Sequence, residues 1–515
     1  MSLMDKKIIS FDLGTGGNKA SLYDVEGNCL ATAFVPYNTH YPQVGWHEQH
    51  PQDWWNAVVE STRKLLVSSQ VDKATIAALS ISGHSLGAVP MDKDGNLLRQ
   101  STPIWSDIRA QVEVREFFKK VDADTWYMTT GNGFPAACYT IFKVMWYQKN
   151  EPEMWKKVYK ILGTKDYINF RLTGKFMTDY SYASGTGIYN LKGWKYAPDF
   201  IAASRIPAEV WPEIVASTHL LGEIQPQAAK MLELSEDVQV VCGGVDNSCM
   251  ALGAKNTRSG RVYTSLGSSA WIAVSSEQPV LDRKIKPYVF AHVVPNMFTS
   301  AVSIFSAGTS FNWVKDNLCA DLVKEAEKTG ADVYMLMNRE AEKAPLGSNK
   351  LLFNPSLAGG TSQDDSVHLR GAYLGLDLKH GRQELIRAAM EGIALNLRLR
   401  LDLLRKYTHL EDEILFVGGG AKSRFYLSIF ADVFNTRILK TNIDQDAGAL
   451  GAAAIAAVGS GLWKDFNRID QIHKIVELVE PNLENNRKYE RLLPVFDLAG
   501  GYLARVSDAL REVEL

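Results

Sequence analysis

Two short runs set a carboxylate among glycines. In "FDLGTGGNK" Asp12 precedes Gly14, Thr15, Gly16 and Gly17, and Lys19 follows two positions beyond the glycines. In "CGGVDNSCMALGA" Asp246 stands between glycines and small side chains. A tight turn of Gly with Thr or Ser exposes several backbone N–H groups in one concavity. Its hydroxyls add donors, and such a nest holds phosphate oxygens. A further turn in "YTSLGSSAW", at Gly267, Ser268 and Ser269, offers these donors without a charge, and "FVGGGAKS" ends an apolar run on three glycines. Each has a plainer reading. Glycine-rich hairpins are mostly only turns, and an aspartate after glycine is at home bonding nearby backbone N–H groups. There is no GxxxxGK[ST] and no GxGxxG of dinucleotide-binding form, so a P-loop and a nicotinamide site are both excluded.

These residues need elements to hold them. "KIISFDLGTGGNKASLYDVEGNCL" predicts strand, turn and strand, then a hairpin at Glu26–Gly27–Asn28, and "GRVYTSLGSSAWIAVSSEQPV" repeats the plan. Helical periodicity is clear in "HPQDWWNAVVESTRKLLVSS", "ELIRAAMEGIALNLRLRLDLLRKY" and "RFYLSIFADVFN", with Pro51 placed for a first turn. The class is α/β. Two hairpins of one design imply an internal duplication, and the boundary is expected near "VVCGGVDNS", giving lobes 1–243 and 244–515 with no low-complexity linker between them.

The composition narrows the function classes. A chain of 515 residues is too long for one core. With 46% hydrophobic and 22% charged residues it has the balance of a soluble globular protein. A net charge of -2 and a pI near 6.6 give no basic footprint for nucleic acid. Five cysteines (Cys29, Cys138, Cys242, Cys249 and Cys319), without CxxC spacing, point to a reducing compartment and away from a disulfide frame or a zinc site. The opening "MSLMDKKIIS" has no apolar leader, and the residues before Met4 read as a cloning remnant. The uncharged run Ala447–Trp463 is shorter than the roughly 20 residues of a membrane helix, so a tightly packed internal helix is expected there. A cytoplasmic protein with no membrane partner is the expectation.

The set of motifs resembles the sugar kinase, Hsp70 and actin superfamily, and more narrowly the FGGY family of carbohydrate kinases. "GAYLGLDLKHGRQELIRAAMEG", Gly371 to Gly392, fits the family's C-terminal signature throughout, with Tyr373, Gly375, Leu376, Glu384, Leu385, Ala388, Ala389, Met390 and Glu391 in place. "YTIFKVMWYQKN" keeps Lys143 and Trp146 of the N-terminal signature, while Cys138 and Tyr147 depart from it. "GWHEQHPQDWW", "PIWSDIRA", "TKDYINFRLTGKFMTDYSYASGT" and "AGALGAA" are also similar, so the resemblance covers nearly the whole chain. It is strongest to the xylulose kinases.

The resemblance implies two ribonuclease H-like (actin-like ATPase) lobes, each a mixed sheet flanked by helices, with ATP and Mg²⁺ in the cleft between them. It makes Asp12 the acid that holds Mg²⁺ through water, with Gly14, Thr15 and Gly16 cradling phosphate. From the second lobe Gly267 and Ser268 would do the same. Gly308 and Asn312 in "SAGTSFNW" match nucleotide-contact positions, Gly419 and Gly420 would admit adenine and ribose, and Ser423 stands where Asn is common. Asp246 matches the general base and Asn247 a sugar contact. An ordinary carboxylate, with a reference pKa of about 3.9, would be ionised and able to accept the hydroxyl proton. Homodimers are frequent in the family.

The sugar end departs from the pattern. Where xylulose kinases carry Gly-Gln-Met-His-Gly, "SISGHSLGAVPMD" has His84, Ser85 and Leu86 between Gly83 and Gly87. His84 reads equally as a sugar contact and as a core histidine. Asp364 and Asp365 in "TSQDDS" read as a solvated loop, and the two histidines of "WHEQH" are not set on one helical face, since Pro51 follows them. The activity implied is ATP-dependent phosphorylation of a small sugar or polyol, a ketose by the likeness. Two rivals are an actin- or Hsp70-like ATPase and a non-catalytic sugar or nucleotide sensor. The sensor predicts loss of Asp12 or Asp246, and both are present.

Overall fold

The computed structural model describes residues 2–361 and 363–514. The chain forms two compact units, neither of them contiguous in sequence. The first runs to Arg258 and takes back Ser275–Ser300 and Asp446–His473; the second holds Ser259–Val274, Ala301–Gln445 and the chain from Lys474 onward. Residues 244–258, expected in the second lobe, therefore pack with the first. The reason is pairing: Gly244–Val245 continues the first sheet beside Ile76–Gly83.

In the first unit the sheet order is Leu220–Glu223, Gln239–Val241, Ile76–Gly83, Lys7–Leu13, Gly17–Asp24 and Cys29–Pro36. The hairpin strands Lys7–Leu13 and Gly17–Asp24 are antiparallel, and Lys7–Leu13, Ile76–Gly83 and Gln239–Val241 run parallel. Alternate side chains Ile9, Phe11 and Leu13 meet Leu79, Ile81, Trp54 and Val58 in a fully buried core. The helix Pro51–Ser69 supplies the tryptophan and valine, and begins on the proline that the sequence places at its first turn.

The second unit repeats this order and sense. Ala270–Ser276 is antiparallel to Val262–Leu266, which runs parallel to Glu413–Val417 and through it to Arg437–Thr441; Ile475–Val479 closes the edge antiparallel. The duplication expected from the two hairpins thus extends to five strands of each sheet.

The Ala447–Gly459 helix is an internal helix of the first unit, buried from Ala447 to Ala457. It crosses Asp246–Gly253 with backbones in contact. A Cβ on Gly451 would stand 1.9 Å from Cys249 O, and one on Gly253 would stand 1.8 Å from Ala447 O. Those glycines let two helices approach as nearly as their main chains allow. Among the described residues no helix is long and apolar enough to cross a membrane.

Candidate active site

Three parallel strands of the first unit bring the acids together. Asp12 pairs in register with Ser82, and Ser82 in turn with Gly244; Val245 pairs with Gly83, so Asp246 emerges just past the sheet's carboxyl end. Open α/β sheets bind ligands at that end. Ser82 Oγ donates to Asp12 Oδ1 at 3.1 Å. Lys19, across the hairpin from Asp12, forms a 2.9 Å ion pair with Asp446 at the start of the Ala447–Gly459 helix. A Cβ on Gly448 would lie 3.2 Å from Asp12 Oδ2, so the glycine leaves room for the carboxylate against that helix's first turn.

Desolvation dominates both acids. It raises Asp12 above the usual carboxylate range; Lys19 and Ser82 oppose it, and Asp446 adds to it. Asp246 opens the Asp246–Gly253 helix and accepts the N–H of Asn247 at 2.8 Å. Burial nevertheless pushes Asp246 up to about 7, with the neighbouring charge of Asp12 adding to the shift and the Asn247 N–H opposing it. The expectation of an ordinary carboxylate fails here, because a sequence carries no measure of how far a group is removed from water.

The first hairpin turn is closed by Gly14 N–H donating to Gly17 O at 3.0 Å, and Gly16 is exposed at its tip. Thr15 is held from two sides. Its carbonyl accepts Gln49 Nε2 at 2.8 Å, and its hydroxyl accepts the indole N–H of Trp105 at 2.9 Å. The sequence reading missed Trp105, although it lies within the "PIWSDIRA" piece and is 39% exposed beside the turn, unusual for so large a ring.

The predicted sugar contacts are placed unequally. Asn247 adjoins Asp246 and is part-exposed. His84 is buried, its Nδ1 3.3 Å from Thr164 Oγ1 and its ring edge-on to Trp54, while Nε2 has no partner among the described residues. Burial pushes His84 down to about 3, so it is neutral at physiological pH. Ser85 is also buried, at 7% exposure. Leu86 adopts φ 61°, strained for a branched residue, and its side chain joins an apolar cluster with Ala88, Ile141 and Phe142. Its carbonyl accepts the buried Lys143 Nζ at 3.0 Å. Leu86 is therefore a core residue in its side chain.

In the second unit Gly267, Ser268, Gly308, Asn312, Gly419, Gly420 and Ser423, all singled out from sequence, line one cavity of about 560 Å³. Gly308 N–H donates to Gly267 O at 2.9 Å, and a Cβ on Gly308 would meet that oxygen at 2.5 Å. Gly418 has φ 97° and donates its N–H to Asp444 Oδ1 at 2.6 Å, while a Cβ on Gly419 would meet only open space. The opposite wall was not foreseen. Tyr334, Met335 and Asn338 come from the helix Val333–Glu342, whose sequence carries no motif. Tyr334 OH donates to Asn312 Oδ1 at 2.5 Å, and Asn338 Nδ2 donates to Ser423 Oγ at 2.8 Å.

Other candidates resolve into structure. Asp364 pairs with Arg400 and accepts Thr361 N–H at 2.7 Å, so it is not part of a solvated loop; Asp365 is exposed. His47 is committed to Ser106 Oγ at 2.7 Å, whereas His50 stacks on His40 at 4.6 Å near Asp53. The potential ligand atoms of His40, His50 and Asp53 all lie within 4.8 Å of one another. The Gly371–Gly392 run also proves architectural. Glu391 accepts from Gly347 N–H, Ser348 Oγ, Arg387 Nε and Tyr489 OH, and a Cβ on Gly392 would stand 1.9 Å from Phe353 O.

Residues 7–253 match the N-terminal domain, and residues 262–460 the C-terminal domain, of the FGGY family of carbohydrate kinases. The chain belongs to that family, with its two mixed sheets in the actin-like ATPase fold. It is 30% identical to the xylulose kinase of Bacillus subtilis over 492 residues, 95% of this chain and 96% of that one. Among solved structures it is similar to a ligand-bound xylulose kinase from Lactobacillus acidophilus (28% identity, TM-score 0.89, 98% and 100% of the two chains). It is similar as well to a gluconate kinase from the same organism (27% identity, TM-score 0.88, 98% and 99%). It is an FGGY sugar kinase, a phosphotransferase that uses ATP.

Proposed function

We propose that Asp246 is the general base that takes the proton from a sugar hydroxyl as the γ-phosphoryl of ATP is transferred to it. The observation that carries this reading is the convergence of Asp12, Ser82 and Asp246 at the carboxyl end of three parallel strands. Phosphoryl transfer depends mainly on positioning and charge stabilisation, with the base orienting the attacking oxygen. A base near pH 7 accepts a proton more readily than an ordinary carboxylate, and only its ionised form works. Asn247 orients the same sugar.

Asp12 offers oxygen alone, the donor type that suits a hard cation, and would hold Mg²⁺ through water. The metal would supply charge neutralisation at the phosphates. Gly14, Thr15 and Gly16 present donors for phosphate, as do Gly267 and Ser268. The cavity beside Gly308 and Asn312 accepts the nucleoside, with Gly419, Gly420 and Ser423 on its floor. His84 and Ser85 belong to the sugar end, and His84 can serve it only as a neutral ring.

The substrate is a small sugar or polyol, and a ketose is the first expectation. Because Ser85 and Leu86 replace the usual Met-His pair, D-xylulose should not lead by a wide margin. An ATP-coupled assay across ketopentoses, ketohexoses, aldonates and polyols tests this, and a tenfold preference for D-xylulose over every other sugar would contradict it. ATP turnover that proceeds equally well with no polyol present would favour the actin-like ATPase reading instead.

A further inference from the structure

Beneath the acid end lies a charged cluster that the chemistry above does not use. Lys165 Nζ stands 2.6 Å from Asp166 Oδ1 and 3.0 Å from Asp179 Oδ1, and the Lys165 and Asp179 side chains are wholly buried. Such a cluster is weak evidence for stability, because desolvation can exceed the Coulomb gain and apolar replacements of similar volume are often neutral or stabilising. Several of its contacts lead to one stretch of chain.

That stretch is Cys242 to Val245, immediately before Asp246. The carbonyl of Cys242 accepts Asn169 Nδ2 at 2.7 Å and Lys165 Nζ at 3.4 Å. Gly243 N–H donates to Ser217 O at 3.0 Å, and the hydroxyl of Ser217 donates to Asp179 Oδ2 at 2.7 Å. Val245 N–H donates to Ser181 Oγ at 2.9 Å, and Ser181 Oγ donates in turn to Asp179 Oδ2. Gly243 itself has φ 78°, and a Cβ there would meet Ile81 O at 2.1 Å, so the sheet fixes the other side of the loop.

The hydroxyl of Ser181 has one proton. Once it is given to Asp179, only lone pairs face Val245, so the hydrogen bond from the Gly244–Val245 peptide has a single sense. We propose that Ser181, oriented by Asp179 and Lys165, is a positioning residue that sets the Asp246 carboxylate by holding the Val245 N–H. This rests on Asp246 as the base. Loss of the Ser181 acceptor leaves a buried N–H unpaired and frees the peptide to rotate, and displacing a reacting group by even a fraction of an ångström slows a positioned reaction.

A double-mutant cycle tests the proposal in the full-length enzyme with ATP and its best sugar. Ser181→Ala should lower kcat about tenfold. KM for ATP should stay unchanged and Tm should fall by no more than about 4 °C. In an Asp246→Asn background the same substitution should alter the residual kcat less than twofold, since the group it positions is already gone. A full tenfold loss in both backgrounds, an unchanged kcat in Ser181→Ala alone, or a raised KM for ATP would each overturn the role. Ser181→Cys keeps the volume with a poor acceptor and should repeat the kcat loss; failure of both variants to fold would assign the cluster to stability and also overturn it. The single variant Asp246→Asn separates the two ideas: near-wild-type turnover there removes the base assignment itself, and the positioning role with it.

Discussion

The two glycine hairpins share strand order, sense and turn composition, yet only one carries charge. In the first unit Gly14–Gly17 stands between Asp12 and Lys19, with Asp446 paired to the lysine. In the second unit Gly267–Ser269 has no ionisable group, and Gly308 N–H and Thr309 N–H bond back onto its carbonyls. The first turn opens on acids, the second on a cavity walled by Phe311, Tyr334 and Tyr426. The two copies of one frame differ in the side chains and the elements set around them. Ionisable groups gather at one copy, and a broad, part-apolar cavity, the proposed nucleoside site, forms at the other.

Asp246→Asn should break the charged copy most severely. The substitution keeps size and removes the proton acceptor, and general bases contribute about 10²–10⁴-fold, so kcat should fall by that range in a folded protein. Asp12→Asn should also reduce turnover, by about tenfold or more, but differently: raising Mg²⁺ in a steady-state assay should recover part of its loss and none of the Asp246→Asn loss. A deficit in Asp12→Asn indifferent to Mg²⁺ would remove the metal role.

Gly308→Val probes the uncharged copy. Its branched side chain would press on Gly267 O, where even a Cβ comes within 2.5 Å. ATP affinity measured by calorimetry should weaken about tenfold, or 1.4 kcal/mol, while kcat at saturating ATP stays within about twofold. A smaller effect concerns pH. Asp246 is held up to about 7 by burial, so kcat/KM for the sugar should fall as pH drops through 7, the active form being the ionised one. An ordinary carboxylate would place that acid limb near pH 4. A rate profile flat from pH 8 to pH 5 would contradict the environment described for Asp246.

How much of this was legible beforehand follows the range of each interaction. The hairpins, the Pro51–Ser69 helix and the internal helix after Ala447 are specified by neighbours in sequence, through turn glycines, a first-turn proline and an uncharged run. Each residue of the set proposed for the nucleotide in the second unit lies beside a glycine or in a recognisable motif, and all seven line one cavity. The unit boundary was not legible, because Gly244–Val245 and Asp446–His473 join the first unit through pairings made far along the chain. Tyr334 and Asn338 were missed because a helix face that lines a pocket has the same periodicity as one that lines a core. The raised pKa of Asp246 and the lowered pKa of His84 depend on desolvation, which spacing does not encode. Leu86 illustrates the reverse case, a position chosen for its motif whose side chain the fold turns into the core.

The central claim is that the two units divide the labour, and it is tested most directly by measuring kcat and ATP affinity together in Asp246→Asn and Gly308→Val. The account predicts a crossed result: Asp246→Asn loses about 10²–10⁴ in kcat with nucleotide affinity unchanged, and Gly308→Val loses affinity with kcat nearly intact. Near-wild-type turnover in folded Asp246→Asn, or equal losses of both quantities in both variants, would contradict it.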